Sequence, residues 1–136
     1  MQYEPVLSRT GLIDLATRQY FANVDAKNMD ATLACFHDEA LFCIQTAFTR
    51  HSGKAEIRRM VEDFFAGYET IIHQDFVCTV DEQNGRIAAS FEAVLTGHDG
   101  TVTRLQNTNF WRVRASAEGA KFQEVYVYMS GANPLV

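Results

Sequence analysis

Apolar residues recur at helical spacing in the middle of the chain. Between positions 57 and 68 they fall three or four residues apart, which places them in one stripe along a helix. The stripe contains Ile57, Met60, Val61, Phe64, Phe65 and Tyr68. Residues 52–56, Ser-Gly-Lys-Ala-Glu, have the composition of a helix start. We therefore predict a helix whose apolar side lies against the core.

The residues after this helix have the composition of a strand. Positions 70–80 are rich in β-branched and aromatic side chains, and polar residues 81–85 follow with a turn that ends in Asn-Gly. His73 lies near the start of this strand. Because side chains alternate between the two faces of a strand, Phe76, Cys78 and Val80 are expected opposite to His73. His73 therefore faces the interior only if the strand contains a bulge or if those apolar residues lie outside.

The other patterns predict helices first and hairpins afterwards. Helices are expected at residues 10–27 and 31–36, the second capped by Asn28 or Asp30 and ended by residues 37–39. Further strands are expected at residues 40–48, 86–97, 101–114 and 121–129, with residues 49–52 outside them and an Asp-Gly turn at 98–100. This order belongs to the α+β class, and strands so long coil strongly. We expect one domain, residues 1–136, with three helices in its N-terminal half packed on a curved, mostly antiparallel sheet.

Composition and charge limit the range of partners. No apolar run in the 136 residues approaches the roughly 20 needed to cross a bilayer, and the start lacks the features of a signal peptide. A net charge of -5 without clusters of Lys or Arg disfavours nucleic acid and membrane surfaces. We expect a cytoplasmic protein that binds a hydrophobic small molecule. A homodimer is also expected, formed through the outer sheet face by Trp111, Val113, Val125 and Val127.

The cysteines and two of the histidines do not predict a metal site. Cys35, Cys43 and Cys78 lie among apolar residues and are expected to be small buried side chains, although Cys35 could act as a nucleophile beside a base. His37 and His51 are expected in loops, and no HxxxH or HExxH spacing occurs. No metal ligand is predicted.

Four segments carry a resemblance to a known family: residues 20–30, 36–40, 52–58 and 110–113. Through them the chain resembles the nuclear transport factor 2-like superfamily, in its SnoaL-like branch, over nearly its whole length. The resemblance implies a cone-shaped, cystatin-like α+β roll. It does not select a function, since this fold carries isomerases, dehydratases and cyclases as well as non-catalytic binding modules.

Within the superfamily, the chain is similar to the bile-acid-type and scytalone-type dehydratases. Their Asp near the end of the first helix and their His after the third helix correspond to Asp25 and His73, and a Tyr of the bile-acid type corresponds to Tyr20. The resemblance implies His73 as general base, Asp25 as the group that orients it, and Tyr20 as hydrogen-bond donor. The second His of the scytalone type corresponds to His98, although His98 falls in the predicted turn.

Helix geometry restricts this constellation. On an ideal helix the side chains of Tyr20 and Asp25 point about 140° apart. They converge only if the helix ends, bends or loosens near residues 23–27, or if they approach from two different walls.

Similarity to ketosteroid isomerase is weaker. Tyr20 corresponds to its oxyanion-hole tyrosine, but the first strand offers no carboxylate base, and Thr108 stands near the place of its second acid. Thr108 and Asn107 or Asn109 remain candidate pocket groups, or else ladder residues of the sheet. The residues expected to contact a substrate are Phe64, Tyr68, His98, Thr108 and Phe110.

We therefore expect a cofactor-independent lyase (dehydratase) or isomerase that acts on a hydrophobic oxygenated small molecule, steroid or polyketide-like. The 10 Phe and 5 Tyr residues suit an apolar pocket with few polar anchors. The alternative is a non-catalytic ligand-binding or dimerisation module in which the same aromatic residues are core. His73 within hydrogen-bond reach of Asp25 and facing a cavity supports the enzyme, whereas His73 on the outer face supports the module.

Overall fold

The computed structural model describes residues 5–131, in which three helices pack on one side of a sheet. Helix α1 is continuous but changes its winding: Arg9–Ile13 is α-helical, Asp14–Phe21 is π-helical, and Ala22–Asp25 is α-helical again. Helix α2 is Met29–Leu33 and helix α3 is Lys54–Gly67. None of these helices has the length and apolarity needed to cross a membrane.

The sheet has six strands in the described part of the chain. They are β1 (Phe36–Ile44), β2 (Thr49–Ser52), β3 (Thr70–Asp81), β4 (Arg86–Thr96), β5 (Val102–Ser116) and β6 (Gly119–Tyr128). Their order across the sheet is β2-β1-β6-β5-β4-β3. Strands β1 and β6 are parallel, and every other neighbouring pair is antiparallel. The predicted α+β class, with helices on a mostly antiparallel sheet, is confirmed.

Three regions differ from the predicted boundaries. The strand predicted at 40–48 ends early, since β1 stops at Ile44 and Gln45–Ala47 forms a 3-10 turn. The helix predicted at 31–36 is too long: α2 ends at Leu33, because Phe36 pairs with Phe122 and begins β1. Residues 49–52, predicted outside any strand, form β2, whose polar side chains suit the edge of a sheet. The prediction that His37 and His51 lie in loops is wrong, since they belong to β1 and β2.

The core fills the space between the helices and the inner face of the sheet. Alternate residues of β4 are buried there: Ile87, Ala89, Phe91, Ala93 and Leu95. Helix α3 buries Ile57, Met60, Val61 and Phe64 in the same core. The apolar stripe therefore faces the core.

The residues predicted for a dimer patch lie in this core instead. Trp111, Val113, Val125 and Val127 are all buried, and the Trp111 ring stacks on Phe122 at 5.8 Å between centroids. Because side chains alternate along β5, the neighbouring Phe110 is the one that faces outward, with 48% of its surface exposed. The proposed association through those four residues is wrong.

Candidate functional site

The end of α1 and the start of β3 meet at a histidine–carboxylate pair. The Nδ1 atom of His73 lies 2.6 Å from Oδ1 of Asp25, and the His73 backbone N–H donates to Oδ2 at 2.8 Å. When Nδ1–H donates to a carboxylate, the neutral ring keeps its lone pair on Nε2. Nε2 is then the atom that can accept a proton.

A β-bulge turns His73 toward the interior. The pairing of β3 with β4 shifts between Gln74 and Val77, and Asp75 within this interval has a φ of 60°. As a result His73 and Phe76, three residues apart, lie on the same face and both stack on one aromatic ring of α1. Regular alternation would place His73 and Phe76 on opposite faces of the strand. The extra residue of the bulge brings both to the same face.

Aromatic packing fixes the plane of the imidazole. Phe21 of α1 stacks on His73 with 4.2 Å between centroids and 23° between planes, and Phe91 of β4 approaches at 5.5 Å. Sequence reasoning did not single out either ring for the site. The only available signal was that Phe21 directly follows Tyr20.

Tyr20 lies in the π-helical part of α1, with its ring packed against Phe36 and Phe122 at 5.5 and 5.4 Å. Its hydroxyl group has no hydrogen-bond partner among residues 5–131. Burial raises the pKa of Tyr20 well above its ordinary value, and the nearby Cys35 and Asp25 add to this effect. The phenol therefore stays protonated and can donate a hydrogen bond.

A cavity lies between α1, α3 and the inner face of the sheet. The space open to the centre of a water-sized sphere is about 40 Å³, and the unfilled space including the mouth is about 540 Å³. Among the described residues that line it, only Tyr20, His73, Asn107 and Asn109 are polar. A largely apolar wall with a few polar groups is typical of small-molecule sites.

The helix that carries Tyr20 and Asp25 departs from ideal α-helical geometry between them. Helix α1 ends at Asp25, and Asp25 does not line the cavity. Tyr20 and His73 line it together. The helix therefore loosens at Tyr20 and ends at Asp25, which is the first of the two arrangements that the helix geometry left open.

The candidate pocket groups of strand β5 lie on opposite faces of the strand, because side chains alternate along it. Asn107 and Asn109 point into the cavity, whereas Thr108 points outward and pairs with a serine hydroxyl of β4 at 2.9 Å. Phe110 also points outward, against Tyr128. The expectation that Thr108 and Phe110 contact a substrate in this cavity is therefore wrong.

The two other expected contact residues also lie outside the lining, while Phe64 belongs to it. His98 is exposed in the turn between β4 and β5, where its Nε2 lies 2.7 Å from the backbone oxygen of Ala66. Tyr68, at the end of α3, packs edge-on against Phe64 at 5.6 Å. Both residues lie near the end of α3, and neither lines the cavity.

Nothing in the described residues gathers metal ligands. No three His, Cys, Asp or Glu side chains of residues 5–131 are placed to hold an ion. Cys35 is buried away from the cavity, and burial raises its pKa to about 11 despite the opposing charges of Lys121 and Lys54. A thiol in this state is a poor nucleophile.

Known families and structures share this architecture. Residues 17–119 match the SnoaL-like domain. No curated protein sequence matches the chain. A candidate aromatic ring hydroxylase from Novosphingobium aromaticivorans is 25% identical and superposes with a TM-score of 0.78, over 91% of this chain and 90% of that one.

Two further solved structures share the fold at lower identity. A candidate polyketide cyclase from Pseudomonas putida is 21% identical, with a TM-score of 0.74 over 90% of this chain and 91% of that one. A protein with a ketosteroid isomerase-like fold from Catenulispora acidiphila, solved in complex with trimethylamine, is 12% identical, with a TM-score of 0.72 over 85% and 84%. Because the family match spans more than half of the chain, the protein belongs to the SnoaL-like domain family.

Proposed function

We propose that the protein is a cofactor-independent lyase or isomerase that removes a proton from a carbon next to the carbonyl group of a hydrophobic small molecule. One observation carries the proposal. The imidazole of His73 is held by Asp25 at 2.6 Å on one side and lines an apolar cavity, shared with Tyr20, on the other. A general base needs this combination of a fixed tautomer and a free nitrogen facing the substrate.

The proposed reaction begins at Nε2 of His73. This atom takes the proton, and the electrons of the C–H bond move toward the carbonyl oxygen, where negative charge develops. Tyr20 donates a hydrogen bond to that oxygen, and Asp25 stabilises the imidazolium. The stacking of Phe21 on the ring holds it in place during the transfer.

The group that receives the proton decides whether the reaction is a dehydration or an isomerisation. In a dehydration, the imidazolium gives its proton to a hydroxyl group on the β-carbon, which leaves as water while the carbon–carbon double bond forms. In an isomerisation, it gives the proton to a different carbon. Neither branch changes the oxidation state of the molecule as a whole, so the proposed chemistry needs no redox cofactor.

Relatives support a small-molecule role of this kind. Solved structures with the same fold include candidate polyketide cyclases and a protein with a ketosteroid isomerase-like fold. The apolar lining of the cavity, with few polar groups, suits a hydrophobic substrate of the steroid or polyketide-like kind.

Exchange of carbon-bound hydrogen for deuterium tests the base directly. We expect the protein to accelerate exchange of the α-hydrogens of 1-tetralone, a flat bicyclic ketone, in D2O, followed by NMR. His73→Gln removes the base and should lower the protein-dependent rate by about 10²–10⁴-fold. His98→Gln, the same substitution in an exposed turn, serves as the matched control and should leave the rate unchanged.

Two outcomes would speak against the proposal. If the ketone binds but its exchange is not accelerated, the cavity belongs to a non-catalytic binding module. If His73→Gln exchanges at the wild-type rate, the base is another group.

A further inference from the structure

Two amide side chains stand in the wall of the cavity without partners. Asn107 and Asn109 alternate along β5, and only 7% and 3% of their surfaces are exposed. Their Oδ1 atoms are buried and accept no hydrogen bond from residues 5–131. Both side chains line the cavity that His73 also lines.

The proposed catalytic step does not use these amides, and burying an unpaired amide is unfavourable to folding. The outward polar side chains of the same strand show the difference. Thr108 pairs with a hydroxyl group at 2.9 Å, and the Gln106 side chain donates to a carboxylate at 3.3 Å. The two inward amides are thus the unsatisfied ones on this segment, as expected of groups that a ligand completes.

Their position relative to His73 follows from the sheet register. His73 pairs with Ala93 on β4, and Ala93 pairs with Leu105 on β5, two and four residues before the amides. Strands β3 and β5 are therefore two strand spacings, about 10 Å, apart. A ligand with a carbon at His73 reaches the amides with its opposite end.

We propose that Asn107 and Asn109 bind a second, uncharged oxygen group of the substrate, a hydroxyl or phenol at the end opposite to the reacting carbon. The buried Oδ1 atoms accept a hydrogen bond from this group, and the amide NH2 groups can donate to it. The described lining contains no Lys, Arg, Asp or Glu. A carboxylate, phosphate or ammonium at that end would be buried without a counter-charge, so the substrate is neutral there.

The inference deepens the proposed function and rests on it in one respect, that the cavity is the substrate site. It narrows the substrate class to neutral cyclic ketones that carry a distal hydroxyl group. A hydrocarbon-ended ketone would leave both amides unpaired, and discrimination of this kind is strong because buried polar groups lose their partners.

Three matched ligands test the inference by binding alone. They are 1-tetralone, 6-hydroxy-1-tetralone and 1-tetralone-6-carboxylate, and their dissociation constants are measured by calorimetry or NMR titration. We expect the hydroxylated ketone to bind about tenfold more tightly than 1-tetralone, a difference of about 1.4 kcal/mol. The carboxylate should bind more weakly than both.

Substitutions of the two amides test whether they cause the preference for the hydroxylated ketone. In Asn107→Leu/Asn109→Leu, which keeps the side-chain size, the tenfold preference should disappear. Thr108→Val, at the outward position between them, should retain it. If the double Leu variant fails to fold, the single Asn107→Ala and Asn109→Ala variants replace it, and each should reduce the preference.

The outcomes separate this inference from the proposed function. Equal affinity of wild type for the two ketones, a preference that survives the amide substitutions, or no binding of the hydroxylated ketone at millimolar concentration would each overturn the inference. His73→Gln should keep the preference. A retained preference without any hydrogen exchange would overturn the proposed catalysis and leave the amide site standing.

Discussion

Asp25 makes two hydrogen bonds to one residue, and each has its own consequence. Strand β3 lies at an edge of the sheet, and the Asp25 carboxylate accepts the His73 backbone N–H at 2.8 Å. This bond ties α1 to the strand and covers part of an edge that would otherwise be open to pairing. The second bond, to Nδ1, fixes the tautomer of the ring. One carboxylate therefore links the fold to the proposed chemistry.

Asp25→Asn separates the two consequences. The amide is nearly the same size and can still accept the backbone N–H, but its NH2 group can donate to Nδ1 and so favour the tautomer protonated at Nε2. We expect the exchange rate of 1-tetralone to fall by about 10²–10⁴-fold while its dissociation constant changes little. Rate and binding are measured on the same preparation.

The control is Asp14→Asn, which changes a half-exposed carboxylate of the same helix whose bonds within residues 5–131 go to neighbouring side chains. It should leave both quantities unchanged. An Asp25→Asn protein with wild-type exchange would show that Asp25 serves the fold alone.

At the scale of elements, the bulge in β3 decides which way His73 faces. Without the shift between Gln74 and Val77, the apolar residues beyond it and His73 would lie on opposite faces of the strand. Asp75 accommodates the shift with a φ of 60°, a left-handed conformation that Asp tolerates better than most residues. A local backbone feature thus determines whether the imidazole lines the cavity.

The bulge gives a stability prediction. Asp75→Val places a β-branched residue in the left-handed region and should lower the free energy of unfolding by about 1–2 kcal/mol. Asp75→Gly, which adopts this φ without strain, should be at least as stable as the wild type. Urea unfolding followed by circular dichroism measures both.

Thr79→Val provides the matched control, because it makes the same exposed strand more apolar at a residue of ordinary backbone geometry. It should change stability by less than about 0.5 kcal/mol. Equal loss in Asp75→Val and Thr79→Val would mean that the left-handed backbone is not the cause.

The elements also show what the sequence could predict. The stripe of α3 and the long strands were predictable because each presents a continuous apolar face to the core. The strand at Phe36 was not predictable, because Ala-Cys-Phe continues a helical pattern. Phe36 belongs to a strand through its pairing with Phe122. The sequence singled out Asp25 and His73 as candidate site residues. The bulge that turns His73 toward Asp25 depends on pairing with β4, which local periodicity does not encode.

At the scale of the whole molecule, the core holds two buried acids, Cys35 and Tyr20, in their neutral forms. Burial raises the pKa of the Cys35 thiol from its ordinary 9.0 to about 11, and it also raises the pKa of Tyr20. In both cases the folded state holds its proton at a pH where the unfolded chain has begun to release it. Their contribution to stability is complete below about pH 8.5 and is lost as pH rises through the folded pKa.

We therefore predict that the protein becomes less stable in mild alkali, with Cys35 as a measurable part of the loss. Between pH 8 and pH 10.5 the thiol should account for about 2 kcal/mol of the decrease in unfolding free energy, given a shift of about two pKa units. Urea unfolding at the two pH values measures this loss in wild type and in Cys35→Ala.

The Cys35→Ala variant starts from a lower stability, because loss of the thiol leaves a small void in a packed core, but its further loss between the two pH values should be smaller. Tyr20→Phe acts as a second comparison, since it removes another acid whose pKa is raised by burial and keeps the ring. Parallel losses in wild type and Cys35→Ala would mean that the thiol ionises as easily in the folded protein as in the unfolded chain, which its burial argues against.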